Sequence, residues 1–198
     1  IWDPQFVKKN LDVLESDENV VGSIGKVIFN LDFSEQNQNY NSYVSQNDLH
    51  RDLVLNMSGT YEDRIKTCLK LNQATPMYAI YRTAALQKCM PDWDDPAYDL
   101  EMQLNVLEFG NLNVINEFLL YRSPYGTSSE SFVLNSLNRK IGISKIIFPY
   151  FSVTLFCLKK LGITFFLKNL FLFLRLNANG SYLITLDFLK LIKNRGNY

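Results

Sequence analysis

DLEMQLNVLEFGNLNVINEFLLYR, residues 99–122, carries two different patterns on either side of one glycine. Before Gly110, Leu100, Leu104 and Leu107 recur at helical spacing. After it, residues 111–122 read as a strand. The stretch therefore predicts a helix from about residue 96 or 99 to 109, a stop at Gly110, and a strand. Asp92, Asp94, Asp95, Asp99 and Glu101 crowd the helix start. Helix N-termini favour negative charge, and capping by Asp94 or Asp95 ahead of Pro96 is the plain explanation. The same place suits a working base, because backbone amides there favour the ionised form of a carboxylate facing a pocket.

Working outward, Asp3 and Pro4 predict an N-cap and first helical position, followed by Phe6, Val7, Leu11 and Leu14 on a helix ending near residues 16–19. VVGSIGKVIFNLDF, residues 20–33, reads as a core strand with Gly22 and Gly25 as bulge positions. The polar residues 36–48 read as a mobile loop. A helix is predicted over 60–72, with Thr60 and Asp63 forming a capping box and Ile65, Cys68, Leu69 and Leu71 on its apolar side. Residues 77–81 predict a short buried strand, 83–89 a short helix capped by Thr83, and 123–126 a turn. Alternating helices and strands indicate an α/β layer architecture. Arg82 and Arg122 each end a predicted strand. Bracing a carboxylate or a loop is the ordinary role of such an arginine. Two of them near an acidic helix start would line a cleft with both signs of charge.

The 198 residues suffice for one domain with a real core, or for one domain plus an appendage. Three scattered cysteines with no CxxC spacing argue against a disulfide framework or a zinc site. The single histidine, His50, has no ligand-spaced partner. No phosphate-binding glycine loop or nucleophile elbow occurs. The net charge of zero divides sharply: residues 1–130 hold 19 acidic and 10 basic residues, whereas residues 131–198 hold one acidic and 10 basic. The acidic part argues against nucleic-acid binding. The basic part contains IIFPYFSVTLFCL (146–158) and LGITFFLKNLFLFLRL (161–176). These runs fall short of the roughly 20 apolar residues of a spanning helix. With Lys145, Lys159, Lys160, Lys168 and Arg175 among them, they predict helices lying in an anionic membrane interface. The competing expectation is a helical subdomain packed on the core.

The order of four segments resembles the later half of a family 2 glycosyltransferase with the A-type nucleotide-sugar (Rossmann-like) fold. IWDPQFVKKNLDVLESDENVVGSIGKV, residues 1–27, resembles the helix and strand that follow that family's metal-binding aspartates. MYAIYRTAALQKC, residues 77–89, resembles its strand–Arg–Thr–helix segment, with Ala79 where the family often has Gly. Residues 99–122 resemble its acceptor-side Asp, helix, Gly and strand. YRSPYGTSSES, residues 121–131, resembles its closing segment, with Ser123, Pro124 and Tyr125 where a histidine is frequent. The resemblance implies transfer of a sugar from a nucleotide-sugar donor to a glycan or lipid-linked acceptor hydroxyl with inversion, as in cell-envelope polysaccharide assembly. It makes Asp99 the general base and Glu101 the fallback. Trp93 is a candidate sugar-stacking platform, and Arg82 and Arg122 join Glu101 as substrate-binding candidates. A divalent cation, Mg or Mn, is implied on the donor diphosphate. Its ligands, with the nucleotide-binding half, are expected before Ile1, and the chain alone is expected to be inactive. The absence of QxxRW implies addition of single sugars. The expected organisation is an acceptor-side half over 1–130 and amphipathic helices over 131–198, peripheral at the cytoplasmic membrane. The alternative is a non-catalytic membrane- or protein-docking module.

Overall fold

The computed structural model describes residues 2–29, 50–51, 54–72, 75–89, 97–122 and 147–195. The expected loop over 36–48, the acidic caps Asp94 and Asp95, Trp93 and the turn at 123–126 lie outside the described residues. The described chain is mixed α/β, built on a four-stranded mixed sheet.

Strand β1 (Val20–Phe29) is the centre of that sheet. On one edge it pairs in parallel with β4 (Asn111–Arg122), from Val20 opposite Asn111 to Phe29 opposite Arg122. On the other edge it meets β2 (His50–Arg51) and β3 (Ile80–Tyr81), both antiparallel. The β1–β4 register shifts between Val20 and Gly22, and again from Gly25 to Val27, where the sequence placed bulges. Gly25 is required by close approach: a Cβ there would lie 2.5 Å from the Leu119 Cβ, which is fixed to its own backbone and cannot rotate away. Gly25→Ala is expected to destabilise the fold by about 1–3 kcal/mol, read as a lowered denaturant midpoint.

Helix α1 (Phe6–Ser16) starts later than the sequence predicts. The Asp3 side chain accepts from the Gln5 amide at 2.8 Å, closing a turn before the helix, and Gln5 takes the N-cap position. The buried face is Phe6, Asn10 and Leu14, whereas Val7 and Leu11 are exposed. Asn10 tolerates burial because its Nδ2 donates to the Phe6 carbonyl at 2.7 Å.

Helix α2 (Tyr61–Leu71) has the expected Thr60–Asp63 capping box, and Asn72 closes it in the left-handed region at φ 45°. Arg64 ties α2 to the chain entering β4, donating Nε to the Leu107 carbonyl at 2.9 Å and Nη1 to Asn111 Oδ1 at 3.3 Å. The expected strand over 77–81 is instead a 3₁₀ turn, Thr75–Tyr78, followed by the two-residue β3. The cause is Pro76. Its carbonyl accepts from the Ala79 amide at 3.0 Å and the Tyr81 hydroxyl at 2.7 Å, holding Met77 and Tyr78 out of the ladder. Helix α3 is a single turn, Thr83–Leu86, with Arg82 rather than Thr83 at its N-cap.

Helix α4 (Tyr98–Val106) buries Leu100 and Leu104 as the sequence predicts, but it ends at Val106 rather than at Phe109 before Gly110, leaving the buried Leu107 at its C-cap; Met102, Gln103 and Val106 are buried too. It is covered on more than one side. Val106 packs with Val21, Ala85 and Cys89, while Leu100, Leu104 and Leu107 face Ile65 and Leu69 of α2. Helices α5 (Phe151–Lys168) and α6 (Leu170–Arg195) follow, and α5 breaks at Gly162, whose φ of 79° is natural only for glycine. Val153, Cys157, Phe165, Phe173 and Leu176 complete the cluster around Leu104, so residues on both sides of position 130 share one core. Among the described residues, no helix is long and apolar enough to cross a membrane.

Candidate functional site

Asp99 sits in the first turn of α4, after the N-cap residue Ala97. Its Oδ1 accepts from the Leu100 amide at 2.8 Å. The carboxyl is half-buried. Burial pushes its proton affinity above that of an ordinary aspartate, and the amides of Leu100 and Asp99 itself oppose the rise. Two protonated groups feel its charge. Tyr150, just before α5, hydrogen-bonds the Asn72 side chain, and its phenol is pushed up by burial and by Asp99. The buried Cys68 thiol is raised by burial first, with Cys157 and Asp99 adding to it. Cys68 donates weakly to Gln103 Oε1 at 3.7 Å. The start of α4 is thus a carboxylate in a low-dielectric setting with a phenol and a thiol as neutral neighbours. Such a carboxylate accepts a proton more readily than one in water.

The remaining candidates are dispersed. Glu101 is on the same helix, half-buried, two residues on. Arg82 is engaged elsewhere: its Nε donates to the Val20 carbonyl at 2.9 Å and its Nη2 to the carbonyls of Asp17, at 3.1 Å, and Leu14. It closes the α1–β1 turn, and its guanidinium meets main chain there rather than a carboxylate. Arg122 ends β4, opposite Phe29 in the register. Trp93 is outside the described residues. Among the described residues, no three His, Cys, Asp or Glu side chains stand together as a metal site.

A feature that the sequence does not announce is a cavity of about 140 Å³ between the last turn of α2 and the first turns of α6. Lys70, Asn72, Arg175 and Asn179 give it a polar lining, with Leu69 and Leu172 among its apolar walls. Neither Asp99 nor Tyr150 lines it, so this cavity does not meet the expectation of an Asp99 carboxylate facing a pocket; Asn72, which does line it, hydrogen-bonds Tyr150 with its side chain. The signal available in sequence was Asn72, a residue suited to a left-handed helix stop. Nothing in the sequence indicates that Arg175 comes to face it. No family model, curated protein or solved structure matches the chain.

Proposed function

We propose that the chain is the acceptor-side part of an inverting glycosyltransferase of the A-type nucleotide-sugar fold, peripheral at the cytoplasmic face of a membrane. In this reading Asp99 is the general base. The observation that supports it is the Asp99 carboxyl itself: placed in the first turn of α4, oriented by the Leu100 amide, and desolvated so that its proton affinity is raised. A base for an alcohol needs that combination of fixed direction and elevated affinity. The Asp99 carboxylate takes the proton of the acceptor hydroxyl, and that oxygen forms the new bond to the anomeric carbon. The bond from that carbon to the donor diphosphate breaks, and the nucleoside diphosphate leaves with the electron pair. The described residues do not offer a site for the divalent cation that the resemblance implies. The resemblance assigns its ligands to residues before Ile1, and no step here runs through it.

The test is a transfer assay on the complete gene product carrying Asp99→Asn. Loss of transfer with donor binding retained supports the base; normal transfer removes Asp99 from the mechanism. A second reading, a docking module without catalysis, draws support from the exposed apolar residues of α6. It predicts no turnover of any nucleotide sugar by the complete gene product with Asp99 in place.

A further inference from the structure

We propose that α6 seats the chain on an anionic phospholipid surface, its outer apolar stripe against the acyl region and the α2–α6 cavity around a lipid phosphate. This rests on the peripheral-membrane part of the proposed function and names the face and the ligand.

Over its first half helix α6 is apolar on two opposite sides, and among the described residues only one is covered; beyond Gly180, Leu183, Phe188 and Ile192 are exposed as well. Phe173, Leu176 and Gly180 are buried toward the core. On the other side Phe171, Leu174, Tyr182 and Leu189 are 80, 60, 63 and 54 % exposed. Their spacing keeps them on one line along the helix, ~27 Å from Phe171 to Leu189 at 1.5 Å per residue. Ile163 and Leu167 of α5 carry the same exposure up to the junction with α6. An uncovered apolar line of this length, on a helix not suited to spanning, is the form of an interfacial helix.

Charge selects the occupant. Lys168, Arg175, Lys190 and Lys193 are exposed along the same segment, and Asp187 is the one acidic residue of α6. A second copy of this face would bring those cations against their like, at an electrostatic cost. An anionic headgroup layer is complementary to them. Arg175 also lines the cavity, together with the cationic residue Lys70 and the amide residues Asn72 and Asn179. That space admits several waters, and so a phosphate group. Arg175 follows Leu174 directly and lies one turn from Phe171. The cationic cavity therefore borders the apolar stripe, as a lipid phosphate borders its acyl chains.

The experiment is cosedimentation of the intact chain at about 0.1 M salt with vesicles of phosphatidylcholine alone or with about 30 % phosphatidylglycerol. Binding is expected to be at least about ten-fold tighter to the anionic vesicles. Phe171→Ser with Leu174→Ser is expected to abolish binding to both vesicle types without lowering the thermal midpoint, since neither side chain is in the core. Lys70→Gln with Arg175→Gln is expected to weaken only the anionic binding, about ten-fold. Equal affinity of the parent for both vesicles, or undiminished binding by the Phe171/Leu174 variant, overturns the proposal. So does a thermal shift by inorganic phosphate, lost in the Lys70/Arg175 variant, from a protein that ignores vesicles, for the cavity then takes a free anion. A dimer dissociated by the Phe171/Leu174 variant, with no vesicle binding, assigns the stripe to a second copy and also overturns it. None of these readouts requires sugar transfer, so a catalytically normal Asp99→Asn protein would leave them untouched.

Discussion

If Asp99 is the base of the proposed sugar transfer, transfer by the complete gene product is expected to fall by about 10²–10⁴ when Asp99 becomes Asn, the range that general-base groups contribute. Asn keeps the oxygen that accepts from the Leu100 amide and loses only the capacity to take a proton. Stability distinguishes this from a structural effect. The folded-state pKa of Asp99 is raised above its ordinary 3.8 by burial. Its contribution to stability is therefore full below the unfolded-state value and is lost as pH rises through the folded-state value. At pH 7 the ionised carboxylate is a net burden on the fold, and Asp99→Asn is expected to unfold at higher denaturant than its parent. The difference closes as pH falls to about 3, below the unfolded-state value, where the carboxyl is neutral in both states of the parent. Activity should follow the opposite course in the parent, rising with pH through a midpoint above that of an ordinary aspartate. Urea unfolding at both pH values, beside the transfer assay, reads both. A variant that loses stability at pH 7 would make Asp99 a structural residue, needed ionised by the fold.

Phe165→Ala should lower stability by about 3–5 kcal/mol, the usual cost of emptying a buried phenylalanine position. Phe165 is 2 % exposed and meets Phe173 edge-on, with ring centroids 6.3 Å apart. The Lys66 ammonium lies 5.8 Å from the ring centroid. The ring belongs to the same core as Ile65, Leu69 and Leu104. The thermal midpoint is expected to drop by roughly 6–20 °C in a protein of this size. The shape of the transition matters as much as its position. Because α5 and α6 share a core with α2 and α4, parent and variant should each unfold in one step. A variant with two separated transitions, or with an unchanged midpoint, would show that the late helices do not stand on that core.

The elements most legible in sequence were those whose signals are local. Thr60, Asp63 and Asn72 mark both ends of α2 within the helix itself. The β-branched run over 20–29 and the patterns around Gly110 likewise mark β1, α4 and β4. Local competition defeated other expectations. Both 6, 10, 14 and 7, 11, 14 are helical spacings, and the fold buries the set containing Asn10, whose Nδ2 donates to the Phe6 carbonyl while its Oδ1 stays buried without a hydrogen bond. Pro76 diverted Met77 and Tyr78 from a strand into a turn. For the candidate site, a carboxylate at a helix start could be read directly at Asp99. Its desolvation could not, since that depends on packing beyond α4 itself. Arg82 was recognisable as a brace, but the carbonyls of Leu14, Asp17 and Val20 that it braces emerge only from tertiary structure.

The parallel union of β1 and β4 has a consequence for synthesis. Each residue of β1 waits for a partner about ninety positions downstream, and such long-range pairing is slow to close. At ordinary translation speeds of about 5–20 residues per second, β4 emerges from the ribosome roughly 5–20 s after β1. Throughout that interval the nascent chain carries an unpaired, apolar strand edge, and this is the period in which chaperone attendance would matter most.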